Sequence, residues 1–226
     1  MSEIKMHIHE ENLLLHAKYN VTAWFYDILD FPWELQYRRW RPALLGDLRG
    51  SVLEAGVGTG RNLKYYHHSV DLTGIDLSMV MLDKALKRAR AASCNIDLVQ
   101  EDAIHMKTIP ASQFDWIIAT FLCCVMPDKI QPLAIEQFER VLKPGGRFRL
   151  LEMLYSKNPE IRRRQEFIAP FIEKVYNARF DRKTLEYIEN SQSLKIENTY
   201  FLKEDIYLVI EGVCEKKIEN RESKYR

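Results

Sequence analysis

The sequence predicts an α/β fold built as a doubly wound, mostly parallel sheet, and three observations carry that reading. Short β-branched runs alternate with helical stretches from residue 50 onward. A glycine-rich turn, Gly56-Val57-Gly58-Thr59-Gly60, directly follows the first of those runs. Two closing runs, 195–202 (KIENTYFL) and 205–216 (DIYLVIEGVCEK), are joined by a very short link. They must therefore pair antiparallel, because a parallel pair needs a crossover of roughly a dozen residues.

Taken in order, SVLEAG (51–56) reads as a buried strand, followed by a helix starting at Gly60. VDLTGID (70–76) is a second strand, and residues 79–92 carry apolar side chains at helical spacing with Ser78 placed as the cap. IDLVQED (96–102) and FDWIIATF (114–121) are the third and fourth strands. Residues 132–142 form a helix with proline in its first turn, and LKPGG (142–146) stops it and turns into a fifth strand, 147–153. Strand, helix, strand in this order implies right-handed crossovers with helices on both faces. A mainly helical stretch, 158–191, precedes the closing pair. One domain is expected: an N-terminal helical segment (1–45), a core (50–153), a helical cover (156–192) and the closing hairpin (195–216).

Composition excludes several classes of function. Lysine plus arginine number 33 against 32 for aspartate plus glutamate, so the chain has no overall electrostatic pull toward nucleic acid. Its four cysteines, Cys94, Cys123, Cys124 and Cys214, form no paired framework, which suits a reducing, cytoplasmic compartment. The first twenty residues are broken by charge and lack the apolar stretch of a secretory signal. No run approaches the ~18 apolar residues of a membrane span. His67-His68 are adjacent rather than at ligand spacing, so no metal is expected.

The chemistry rests on the glycine turn. Glycines there let the backbone bend tightly and approach a ligand. A dinucleotide fingerprint, G-x-G-x-x-G, would need glycine at position 61, where this chain has Arg61. Glu54 stands two residues before the first glycine, and Asp76 ends the second strand beside the first. A carboxylate in that place can accept both hydroxyls of a ribose.

EAGVGTG, the acid in GIDLS, the acid in QEDA and LKPGG together resemble the class I S-adenosylmethionine-dependent methyltransferases. Within them, GVGTGRNLKYY with TGIDLSMVML looks closest to phosphatidylethanolamine N-methyltransferases, and then to ubiquinone/menaquinone biosynthesis methyltransferases. The resemblance covers roughly residues 20 to 215 and implies a seven-stranded Rossmann-like sheet with an antiparallel last strand, and S-adenosylmethionine as cofactor. It places Gly56, Gly58 and Gly60 along the methionine part, Glu54 beneath the loop to help hold it or the methionine amino group, Asp76 on the ribose and Leu77 against the adenine. Asp102 and Ala103 would meet the adenine edge, and Thr120 and Phe121 would lie beside the sulfonium. Tyr19 and Tyr26 would belong to an N-terminal lid.

An already activated methyl group needs at most a weak base, for which His105, Glu152 and Tyr155, near strand ends, are candidates. ATFLCC follows strand four where base-amino methyltransferases resemble one another in an Asn/Asp-Pro-Pro-aromatic run, which argues against a nucleic acid substrate. Arg38, Arg39 and Arg41 with Trp33 and Trp40, and Arg162 to Arg164, form basic patches suited to peripheral contact with an anionic lipid surface. The acceptor is a small molecule or a lipid headgroup, with nitrogen, sulfur, oxygen and carbon all open, as is the oligomeric state. The competing readings are a dinucleotide-dependent oxidoreductase and a non-catalytic module that keeps the cofactor pocket.

Overall fold

A computed structural model describes residues 31–216. Its elements run α1 (Phe31–Leu45), β1 (Gly50–Ala55), a 3-10 turn (Leu63–Tyr65), β2 (Val70–Asp76), α2 (Met79–Ala89), β3 (Asn95–Gln100) and β4 (Phe114–Thr120). Then follow a second 3-10 turn (Cys123–Val125), α3 (Gln131–Val141), β5 (Leu142–Met153), α4 (Pro159–Tyr176), α5 (Thr184–Glu189), β6 (Leu194–Phe201) and β7 (Tyr207–Cys214). The seven strands form one sheet in the order β3-β2-β1-β4-β5-β7-β6. The first five are parallel, while β7 runs antiparallel to both β5 and β6. The doubly wound sheet with an antiparallel final strand is therefore as the sequence implies.

Side chains on β1 alternate between two cores, as the period of a strand requires. Val52 packs with Leu45, Leu48, Leu72 and Leu82 on one face, while Leu53 and Ala55 join Ile75, Phe138 and Ile188 on the other. Both faces are thus closed by helices, which is what a parallel strand with apolar side chains on both faces needs. Arg149 on β5 ties the sheet to the end of α1. Its guanidinium bonds Asp47 at 2.8 and 2.9 Å, the Leu44 carbonyl at 2.5 Å and Glu211 at 2.5 Å.

Two local expectations change. The segment after Gly60 makes one 3-10 turn instead of a helix, because Gly60 itself is left-handed (φ +78°) and the aromatic and histidine residues that follow are weak helix formers. The helical cover splits into α4 and α5 because Asn177 takes a left-handed C-cap (φ 59°), a conformation asparagine tolerates. Elsewhere the caps act as read: the Ser78 hydroxyl accepts from the Met81 amide at the start of α2.

The strand order reverses direction at β1, between β2 on one side and β4 on the other. In an open parallel sheet the crevice beyond the strand C-termini at that point is where ligands bind.

Candidate active site

The crevice is a cavity of about 310 Å³, within the usual span for small-molecule sites. Its floor is the glycine loop. The Gly56 and Val57 amides both donate to the Ile75 carbonyl at 2.9 Å, tying the loop to the end of β2. The Gly58 amide donates to one Asp76 carboxylate oxygen at 2.9 Å, and the Ser78 amide to the other at 2.9 Å. Asp76 thus holds the loop and the start of α2 in one geometry. Gly58 is left-handed (φ +53°), and a Cβ added there would meet nothing nearer than 4.0 Å. The loop therefore presents bare backbone to open space, a cradle that a ligand fills.

Gly60 has a different task. It lies outside the cavity lining, and a Cβ there would meet Ala85 Cα of α2 at 2.8 Å and Leu63 Cδ1 at 2.8 Å. The third glycine brings a helix against the loop instead of lining the ligand. Gly60→Ala combines this overlap with a left-handed backbone, and should cost roughly 2–4 kcal/mol of stability, read as a lowered Tm. A Tm unchanged by the substitution would contradict this packing role.

Glu54 is also absent from the lining, being fully buried beneath the loop. It accepts from Asn62 Nδ2 at 2.6 Å and from the Tyr66 hydroxyl at 2.9 Å. Burial pushes its pKa up to about 7, against the pull of those hydrogen bonds and of the Arg41 charge. Asn62 continues the chain of contacts: its Oδ1 accepts from Arg41 Nε at 2.6 Å, and its Nδ2 also reaches Thr120 Oγ1 at 3.0 Å. Arg41 in turn grips Glu34 through both terminal nitrogens at 2.6 and 2.8 Å, and Arg61 bonds Glu34 at 2.7 Å. Burial raises the Glu34 pKa, but the two arginines outweigh it and hold the carboxyl below its ordinary value.

Leu77, Asp102 and Ala103 line one end of the cavity beside Asp76. Asp102 accepts from the Ile104 amide at 3.1 Å, and its other oxygen meets His105 Nδ1 at 3.0 Å. The opposite end is apolar and aromatic. Phe121, left-handed at φ 59°, turns its ring to within 4.7 Å of the Tyr37 centroid, with Tyr207 6.2 Å from Phe121. Such a backbone costs a bulky residue on the order of 1–3 kcal/mol and is characteristic of functional sites. Ile172 and Tyr176 of α4 close this end, with Trp33 of α1 edge-on to Tyr176 at 6.2 Å.

The structure thus brings Gly56, Gly58, Asp76, Leu77, Asp102, Ala103, Thr120 and Phe121 to one cavity. Tyr19 and Tyr26 lie outside the described residues. The three candidate bases do not line the cavity. His105 is exposed at its rim on Asp102, and Tyr155 stacks on Phe180 at 5.2 Å under Arg162. Glu152 is buried against Cys123, with its pKa pushed up to about 8 chiefly by burial. The N-terminal basic patch is also dispersed: Arg41 turns inward and Trp33 faces the cavity, leaving Arg38 and Arg39 exposed. Sequence reasoning did not find Tyr37, Asn62, Tyr176 or Tyr207, which reach the cavity from four different elements or links. Asn62 alone carried a local signal, standing two residues after the last glycine of the loop.

Among the described residues no group of histidine, cysteine and carboxylate side chains could hold a metal, and no helix is long and apolar enough to cross a membrane.

Residues 52–146 match the family model described as "Methyltransferase domain". A phosphatidylethanolamine N-methyltransferase of Cereibacter sphaeroides is 37% identical over 99 residues, covering 43% of this chain and 47% of that protein. A ubiquinone/menaquinone biosynthesis C-methyltransferase of Syntrophotalea carbinolica is 33% identical over 129 residues, covering 54% of this chain and 53% of that protein. The chain therefore spans about half the length of these curated relatives. The solved structure of a SAM-dependent methyltransferase from Methanosarcina mazei shares the fold, with a TM-score of 0.59 at 20% identity over 74% of this chain and 93% of that one. With its glycine loop, its sheet order and these likenesses, the chain is similar to the class I S-adenosylmethionine-dependent methyltransferases, and its residues 52–146 match their methyltransferase domain.

Proposed function

We propose that the protein transfers the methyl group of S-adenosylmethionine to an acceptor with a substantial apolar part. The observation that carries this reading is the open Gly58 backbone held by Asp76, with an aromatic chamber adjoining it. The residues present fit the cofactor. Asp76 would take the ribose hydroxyls, Leu77 and Ala103 the adenine faces, and Asp102 the adenine amino group. Gly56 and Gly58 would pass beneath the methionine part, whose carboxylate would find Arg41 and Arg61 near the loop. Thr120 and Phe121 would lie beside the sulfonium. Glu54 would act from below by fixing Asn62, and Gly60 by packing α2. Tyr19 and Tyr26 would complete the lid that α1 begins.

When bound, the cofactor supplies an electrophilic methyl on a sulfonium, so the protein's work is alignment and exclusion of water. Orientation of this kind can lower a barrier by up to about 7–11 kcal/mol. The Tyr37, Phe121 and Tyr207 rings at the junction of the two ends suit a cation, since ring faces attract positive charge. They also keep the acceptor's reacting atom in an apolar surrounding, where a neutral nucleophile is favoured over a charged one.

The relatives' names support a lipid or lipid-like acceptor, one naming phosphatidylethanolamine and the other ubiquinone and menaquinone biosynthesis. The four cysteines are free, and Cys123, Cys124 and Cys214 are buried, as suits a reducing cytoplasmic setting.

Calorimetry with S-adenosylmethionine and S-adenosylhomocysteine tests the cofactor, and we expect micromolar binding of both. Folded protein that gives no heat with either would end the proposal. Methyl-labelled cofactor incubated with a lipid extract, followed by mass spectrometry, then identifies the acceptor; label confined to water-soluble products would overturn the apolar assignment.

A further inference from the structure

We infer that the outer face of α4 docks on an anionic membrane surface. α4 has two apolar faces. The inner one, Ile172 and Tyr176, closes the cavity, with the buried Gln165 fixed on the Leu154 carbonyl at 2.9 Å. The outer one places Phe167 and Phe171 one turn apart in solvent, 87% and 52% exposed. Two bulky rings held in water on one helix face mark an interaction surface.

The charges around them select the partner. Arg163 and Arg164 precede Phe167 by one turn, and Lys174 follows Phe171 by one turn; all three are exposed. Of the acids of the helix, Glu166 pairs with Arg162 at 3.0 Å and Glu173 with Arg179 at 3.6 Å, both off the aromatic face, while Glu160 lies on that face one turn before Arg163 and Arg164, in the first turn where the helix dipole favours it. The face left over is aromatic at its centre and cationic at both ends, the pattern of a helix lying in a lipid interface. α1 repeats it. Phe31 (59% exposed) and Leu35 (43%) are followed one turn later by the exposed Arg38 and Arg39. Trp33 against Tyr176 brings the two helices together.

The outer face is continuous with the cavity. Ile168 is 40% exposed and also lines the apolar end, so one residue belongs to both surfaces. An amphiphile leaving a bilayer would pass from Phe167 over Ile168 to Ile172 without crossing a polar rim. The docking surface itself stands on α4 and α1; only its purpose, delivery of an acceptor, rests on the proposed methyl transfer.

The test is sedimentation of the full chain with phosphatidylcholine vesicles and with vesicles containing roughly one third phosphatidylglycerol. The wild type is expected to sediment with the anionic vesicles, to remain in solution with the neutral ones, and to be released by salt. Arg163→Gln/Arg164→Gln should weaken partitioning roughly twentyfold, and Phe167→Ser/Phe171→Ser at least about tenfold. Binding of S-adenosylhomocysteine and the melting temperature serve as controls for folding in both variants. If cofactor binding were lost in the wild type while vesicle binding persisted, the methyltransferase reading would fail and this surface would stand. Equal sedimentation with neutral and anionic vesicles, or variants that partition like the wild type, overturns the inference. A dimer in solution that Phe167→Ser/Phe171→Ser converts to monomer assigns the face to a second copy and overturns it too.

Discussion

Asp76→Ala is expected to weaken S-adenosylhomocysteine binding at least about a hundredfold, because under the proposed function it removes a charged acceptor from two ribose hydroxyls at once. Hydrogen bonds to an ionised group contribute about 1.5–3 kcal/mol each, so losing a pair amounts to two orders of magnitude or more. The side chain also receives the Gly58 and Ser78 amides at 2.9 Å, so its loss loosens the loop as well as the ligand contact. Asp76→Asn separates the two effects. It keeps the size and one acceptor oxygen, so it can still hold one of the two backbone amides and should lose less thermal stability than Asp76→Ala while still losing most of the affinity. Calorimetry on both variants, with circular dichroism to confirm folding, is the measurement. An Asp76→Ala protein that binds within about threefold of the wild type would remove the ribose assignment, since the smallest charge-assisted bond exceeds that.

The second large effect is on stability against pH. Two carboxyls sit in the core: Glu54, with a pKa of about 7, and Glu152, with a pKa of about 8. Both are raised above the usual value of 4.5 chiefly by burial. Glu152 Oε1 has no hydrogen-bond partner among the described residues, so its charged form is poorly solvated. A raised folded-state pKa means that the native state holds a proton the unfolded chain has already released. The associated stability is fully present below pH 4.5 and is lost as pH rises through 7 and 8. Between roughly pH 5 and 8, Glu152 should cost about 3 kcal/mol and Glu54 about 2 kcal/mol. Glu152→Gln keeps the shape and removes the ionisation, so it should flatten most of the decline. Urea titrations of wild type and variant across that range measure it. Parallel pH profiles for the two proteins would show that Glu152 is not the titrating group.

The strands and the loop were legible because their signals are local. Val52, Leu53 and Ala55 form an apolar run interrupted only by Glu54, and positions 56, 58 and 60 advertise a turn whatever surrounds them. The link between Phe201 and Tyr207 is too short for anything but an antiparallel pair. The chamber was not legible in this way. Tyr37, Phe121, Tyr176 and Tyr207 come from α1, the end of β4, α4 and β7, and nothing in their spacing says that they meet. Glu152 illustrates a subtler failure. It sits near the C-terminus of a central strand, where catalytic groups gather, yet the strand period of two turns Leu151 and Met153 one way and Glu152 the other. Proximity along the chain suggested a base, and alternation placed it in the core against Cys123. Gly60 fits the glycine pattern but acts on α2, which only three-dimensional packing could reveal.

The contacts that run from Glu34 through Arg41 and Asn62 to Glu54 join the position of a helix to a proton. The Arg41 charge lowers the hold of Glu54 on its proton. The acid beneath the glycine loop therefore takes part of its acidity from a cation carried by a different element, and a neutral side chain at position 41 would tighten its grip on the proton.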